Sequence, residues 1–200
     1  YYADRLNQLP LAIFGIAMGI VLLPSLSKAI KKNDQEETQI TQNRSLEFCL
    51  LISLPSAVGL YILSEPIIYI LFERGAFVSE DTLYTAQVLS MFALGLPAYI
   101  LIKVLVTCFF AREDTKTPLY VSIVSVVVNI ILSLILIQSM REMGIALATA
   151  VSAWINAIFL YVILKMRDNI TMDSRLISKG YKIIICSVVM GVVCYFSNLT

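Results

Sequence analysis

Long apolar runs separated by short charged breaks dominate the pattern of this chain. Reading each run against its polar flanks predicts six helices, at Leu6–Ser27, Leu46–Leu63, Leu83–Ala111, Leu119–Gln138, Met143–Met166 and Tyr181–Leu199. Each is near the roughly 20 residues that carry a helix across the hydrocarbon core of a bilayer. Between them lie the charged segments Lys28–Glu47, Glu65–Asp81, Arg112–Pro118, Gln138–Glu142 and Lys165–Lys182. The apolar stretch Pro66–Phe72 is too short to span and is expected at the interface or over the end of the bundle. None of the charged segments is long enough for a folded soluble domain or rich enough in Gly and Ser for a flexible linker. Residues 1–200 are therefore read as a single transmembrane helical bundle without a clear internal repeat.

Composition agrees. The chain is 58% hydrophobic and 14% charged, against roughly 45–50% and about 25% in soluble domains. The fold class is all-α integral membrane, a polytopic bundle of about six spans. A net charge of +1 gives no electrostatic case for nucleic acid as a partner. Without histidine, the chain has no Ser-His or Cys-His nucleophile pair, no imidazole metal ligand and no ordinary proton shuttle near neutral pH. Cys49, Cys108, Cys186 and Cys194 lie in or beside apolar runs with no C-x-x-C pair, and read as small packing residues. The start at Tyr1-Tyr2, with no initiator methionine or signal sequence, leads to the expectation of a piece of a longer protein.

Orientation follows from Lys and Arg in alternate breaks. Lys28, Lys31, Lys32, Arg44, Arg112, Lys116, Lys165, Arg167, Arg175, Lys179 and Lys182 fall on one side; Arg5, Arg74 and Arg141 fall on the other. The positive-inside rule assigns the first set to the cytoplasm.

A few residues are costly where they stand. Lys103 is in the last third of the third span, where an ionised group costs a few kcal/mol. It either lines a polar cavity or snorkels toward headgroups near Arg112. Arg5 follows Asp4 at the start of the first span, with Gln8 one turn on. Its guanidinium suits either an anionic headgroup or a role as an interfacial anchor paired with Asp4. In the fourth span Ser122, Ser125, Asn129 and Ser133 form one stripe, and Thr149, Ser152 and Asn156 form another in the fifth. Two such stripes can hydrogen-bond helix to helix or coordinate a small cation. The Gly144/Ala148/Ser152 and Gly15/Gly19 spacings argue for close packing. Breakers sit inside three spans, Pro10, Pro55 with Gly59, and Gly95 with Pro97, a pattern more typical of transporters than of rigid anchors.

Several motifs look familiar. Tyr1-Tyr2-Ala3-Asp4-Arg5-Leu6 with Leu9-Pro10, Leu22-Leu23-Pro24-Ser25-Leu26-Ser27 and Leu54-Pro55-Ser56-Ala57 resemble the MurJ/MviN family of lipid II flippases. So do Leu71-Phe72-Glu73-Arg74-Gly75-Ala76-Phe77 and the run from Phe109 to Pro118, in the family's order and spacing. The resemblance implies a two-lobed transporter of the MOP superfamily, about fourteen helices around a cavity that opens alternately to each side. This chain looks like its eighth to thirteenth helices, most of the second lobe, without the first lobe or the last helix.

The resemblance further implies a multi-pass protein of the bacterial cytoplasmic (inner) membrane that moves a lipid-linked peptidoglycan precursor between leaflets. Arg5 matches a cavity arginine held to bind pyrophosphate, bordered by Asp4 and Gln8, and Lys103 matches a lysine on the cavity side. Asn129, Ser133 and Thr149 match positions that bind sodium in some relatives; Ser133 replaces an acidic ligand, which weakens a hard-cation site. The expected partners are the lipid-linked precursor, membrane lipids and the first lobe of the same protein, with no cofactor beyond possible sodium coupling. Two rivals stand: another MOP-type exporter, for a lipid-linked oligosaccharide or a drug, and a non-transporting membrane scaffold.

Overall fold

The computed structural model describes residues 2–17 and 21–198. The centre of the first predicted span and Gly19 of the Gly15/Gly19 spacing lie outside the described residues, as do Tyr1 and Leu199. The described residues form eight helices: α1 (Tyr2–Ala17), α2 (Leu23–Lys31), α3 (Gln35–Ile62), α4 (Ser64–Phe72), α5 (Ser79–Phe110), α6 (Lys116–Met140), α7 (Glu142–Met166) and α8 (Ser174–Asn198). Among them α3, α5, α6, α7 and α8 are long and apolar enough to cross a membrane. The first predicted span maps onto α1 and α2, on either side of residues 18–20. The short apolar stretch forms α4, a nine-residue helix packed on α5.

Two helices start earlier than their apolar runs. α3 begins 11 residues before Leu46, because Asp34 accepts from the Glu37 amide and Glu36 and Glu37 favour the positive end of the helix. α8 begins at Ser174, where Asp173 accepts from the Leu176 amide at 2.7 Å. Hydropathy marks where lipid is crossed, whereas these caps mark where helical hydrogen bonding starts.

α5 is the central helix and packs on α1, α3, α4 and α7; α6 lies against α7, and α8 against α3. Leu96, Ile100, Val104, Leu105, Cys108 and Phe109 of α5 are essentially buried and meet Leu160 and Leu164 of α7. Close approach is built in: a Cβ at Gly95 would stand 2.9 Å from Ala150 Cα, and one at Gly144 would stand 2.6 Å from Leu136 O. The Trp154 indole donates to Leu94 O at 3.0 Å, tying α7 to α5. The outward face of α6 leaves Ile123, Val127, Ile130, Leu134 and Ile137 exposed. Such a face carries a heavy cost in water and none in acyl chains. All four cysteines are free; Cys49 and Cys108 are core residues, whereas Cys186 is exposed on α8.

Candidate functional site

Asp4, Arg5 and Gln8 come together on α1, because side chains three and four residues apart share a helical face. The Gln8 amide donates to the Asp4 carboxylate at 2.6 Å, and Arg5 Nη1 donates to Gln8 Oε1 at 3.5 Å. Ala3 and Asn7 turn into the bundle and are buried, while Arg5 and Gln8 lie on the exposed face. The guanidinium is thus presented away from the core and steered through Gln8 by Asp4. A fork of N–H donors on such a face can take phosphate oxygens two at a time.

Lys103 is on α5, exposed between the partly buried Ile102 and the buried Val104. Tyr99, one turn earlier on the same face, lies within electrostatic reach of the Asp4 carboxylate. Two further polar atoms, the Tyr99 hydroxyl on α5 and Asn7 Oδ1 on α1, are buried with no hydrogen-bond partner. The sequence reading passed over both residues. Their only signals were spacings: Asn7 is three residues from Asp4, and Tyr99 is four from Lys103.

The two polar stripes meet. Asn129 Nδ2 donates to Thr149 Oγ1 at 3.2 Å and to Ser152 Oγ at 3.1 Å. Thr149 and Ser152 spend their own hydroxyl protons on the Ile145 and Thr149 carbonyls, so only their lone pairs face Asn129. The amide nitrogen occupies the place a small cation would take between those lone pairs. Ser133 is not drawn into this contact; its buried hydroxyl has no partner. Among the described residues no group of three or more Asp, Glu, Cys or His side chains gathers to hold a metal ion. As arranged, these groups form a helix-to-helix hydrogen bond between α6 and α7.

The breaks grouped by their basic residues also meet in space. Arg112 donates to Cys108 O at 2.9 Å and to Asn169 O at 3.0 Å. With its amide turned to satisfy both ends, the fully buried Gln42 accepts from both Arg112 Nη atoms and donates to Asn169 O, each at 3.0 Å. Burial draws the Arg112 guanidinium below its usual range. Asn43 donates to Thr171 O, and Arg44 pairs with Glu47 at 2.8 Å and Asp173 at 2.9 Å. Asp114 accepts from the Thr117 hydroxyl and amide and pairs with Arg167 at 2.7 Å. These donors, the Thr117 pair foremost, hold its carboxyl down at about 2. Arg112, read from sequence as a cation in a break and as part of the run from Phe109 to Pro118, closes α3, α5 and the α7–α8 connection together.

At the other end Glu73 accepts from Ser79 and Thr82, and Asp81 accepts from the Val78 amide, fixing the start of α5. Gly75 takes φ +64°, the left-handed turn that glycine adopts without strain. Tyr2 meets Phe72 at a tilt and Phe77 edge-on, with ring centroids 4.8 and 5.6 Å apart. That cluster pins the first turn of α1, and with it the frame on which Arg5 stands.

Among the described residues, eight helices about a central α5, five of them long and apolar enough to span, define a multi-pass helical membrane protein. The sequence profile of "Lipid II flippase MurJ" matches residues 1–200, and the chain belongs to that family. It is 46% identical over 198 residues to a protein of Rhizobium tropici named "Probable lipid II flippase MurJ", covering 98% of this chain and 37% of that protein. It is 41% identical over 192 residues to one of the same name from Rickettsia prowazekii, covering 96% and 38%. A solved structure, "Lipid II flippase MurJ, inward closed conformation", superposes with a TM-score of 0.85 at 33% identity, over 100% of this chain and 40% of that one. The chain thus spans well under half the length of these relatives.

Proposed function

We propose that this chain forms most of the second lobe of a lipid II flippase. In this reading the whole protein carries the lipid-linked peptidoglycan precursor from the inner to the outer leaflet of the bacterial cytoplasmic membrane by alternating access, a transport step with no bond made or broken. The observation that carries the reading is the exposed Arg5 guanidinium on α1, steered by Asp4 through Gln8. A pyrophosphate loses hydration on leaving the headgroup layer, and a fork of charged donors offsets that loss. The first lobe of the same protein would close the opposite wall, while membrane lipids solvate the polyprenyl tail. Pro10, Pro55 and Pro97, each inside a helix, provide bending points for rocking one lobe against the other. A membrane potential negative inside favours outward movement of the anion by roughly 2.3 kcal/mol per charge per 100 mV. The cycle therefore needs no step through sodium at Asn129, Ser133 and Thr149.

The test is genetic. In cells that depend on the longer protein carrying this chain, Arg5→Ala abolishes growth at normal membrane abundance and Arg5→Lys, which keeps the charge but loses the fork, restores part of it. Normal growth of the Arg5→Ala strain would instead favour an exporter of neutral or cationic cargo, or a scaffold.

A further inference from the structure

A helix hinges where its backbone is weak, where a neighbour fixes the angle and where space lies beside it, and one turn of α5 meets all three conditions. Pro97 has no amide proton, so the Ala93 carbonyl loses its helical donor and is crowded by the ring. In membrane bundles, neighbouring helices make good such losses. Here α7 supplies the support: the Trp154 indole donates to Leu94 O, the next carbonyl in the weakened turn, at 3.0 Å. Gly95 lets α7 come this close, since a Cβ there would stand 2.9 Å from Ala150 Cα. The space is an apolar groove of about 550 Å³, lined by Ala93, Leu94 and Pro97 with Ala57 and Val58 of α3 and Val192 of α8.

Packing divides at the same turn. Before it, Ala86 and Leu89 of α5 form a small core with Ala3 of α1 and Ile68 of α4. After it, Leu96, Ile100 and Val104 belong to the main core, with Leu160 and Leu164 of α7. α1 crosses this boundary at a proline of its own, for Leu6 packs on the small core and Leu11 on the main one, with Pro10 between them.

We propose that the Gly95–Pro97 turn is a hinge between these two packed bodies, and that Trp154 is the positioning residue that sets its angle. The bond from Trp154 to Leu94 splints the turn. When it is released, the first half of α5 swings, carrying α4 and the start of α1. In the flippase reading, on which this consequence rests, Arg5 rides with them. A change of about 20° at a kink moves a site about ten residues away, roughly 15 Å along the helix, by about 5 Å.

The experiment uses the longer protein that carries this chain, with its accessible cysteines, Cys186 and Cys194 among them, replaced by serine. Nitroxide labels are placed at Tyr69→Cys on α4 and Met166→Cys at the end of α7, both exposed, and the distance between them is read by double electron–electron resonance. The unaltered protein gives one dominant distance. Trp154→Phe, which keeps a ring and loses the N–H, populates a second distance displaced by about 5 Å, the swing of such a kink. Pro97→Ala returns an amide proton to Ala93 O, so the turn needs no splint: alone it keeps the parent distance, and in the Trp154→Phe background it removes the second one. An unchanged distribution in Trp154→Phe would overturn the role of Trp154. A second distance that persists in the Trp154→Phe, Pro97→Ala protein would place the flexibility outside this turn and overturn the hinge. These distances are measured without cargo, so the hinge can fail while the reading of Arg5 stands, and the reverse.

Discussion

Asp114 illustrates how single side chains hold the basic end together. Its carboxylate collects two donors from Thr117 and one from Arg167, which lowers its folded pKa to about 2 from roughly 4 in an unfolded chain. A depressed acid contributes stability in full above the unfolded value and loses it as pH falls through the folded one. Asp114→Ala is therefore expected to cost about 0.5–2 kcal/mol at neutral pH, the range for a lost helix cap. That deficit shrinks as the pH falls below about 4 and vanishes near 2, as thermal unfolding at a series of pH values will show; a deficit that does not change with pH contradicts the assignment. At this scale the sequence was partly legible. The Asp4, Arg5 and Gln8 group could be read because its members share one turn of one helix. Tyr99 and Asn7 could not, since their interest depends on which face of α5 turns toward α1. Arg112 escaped for the same reason: its partner Asn169 lies 57 residues away.

At the level of helices, the apolar runs located five spans within the helices that carry them, because a lipid-crossing segment must satisfy every backbone group internally. The helix starts at Gln35 and Ser174 were missed, although Asp34 and Asp173, the capping residues, stand in plain view in the sequence. Two of the motifs by which the family is recognised turn out to be junctions. Phe72 to Phe77 makes the left-handed turn at Gly75 and the aromatic cluster under α1, and Arg112 to Asp114 makes the turn from α5 to α6. The small-residue spacing on α7 does what close packing predicts, bringing Gly144 against the Leu136 backbone. A side chain there must displace backbone, so Gly144→Leu is expected to destabilise the α6–α7 pair by about 1–3 kcal/mol. Ala148→Ser, a smaller change on the same stripe, is expected to cost less. Denaturation in detergent with both variants checks the ranking, and a Gly144→Leu protein as stable as the parent would show that α6 and α7 are not held at this distance.

For the whole molecule, the charge count of alternate breaks foretold which connections lie together, and Arg112, Arg167, Asn43 and Asp173 indeed knit them at one end. What the sequence did not convey was the hierarchy, with α5 at the centre and α6 and α8 as flanks that leave broad apolar faces outward. Nor could spacing alone show that the polar stripes meet, with the Asn129 amide between two hydroxyls of α7. The account predicts that the face of α1 bearing Arg5 is the working surface of the longer protein, with the rest of the bundle holding Arg5 in place. The most direct test is to measure how much lipid-linked precursor reaches the outer leaflet in cells that depend on that protein, comparing the unaltered chain with Arg5→Ala at matched membrane abundance. Retention of the precursor in the inner leaflet of the Arg5→Ala cells is the predicted result. Normal arrival at the outer leaflet would contradict it, and would reduce Arg5 to an anchor at the membrane surface.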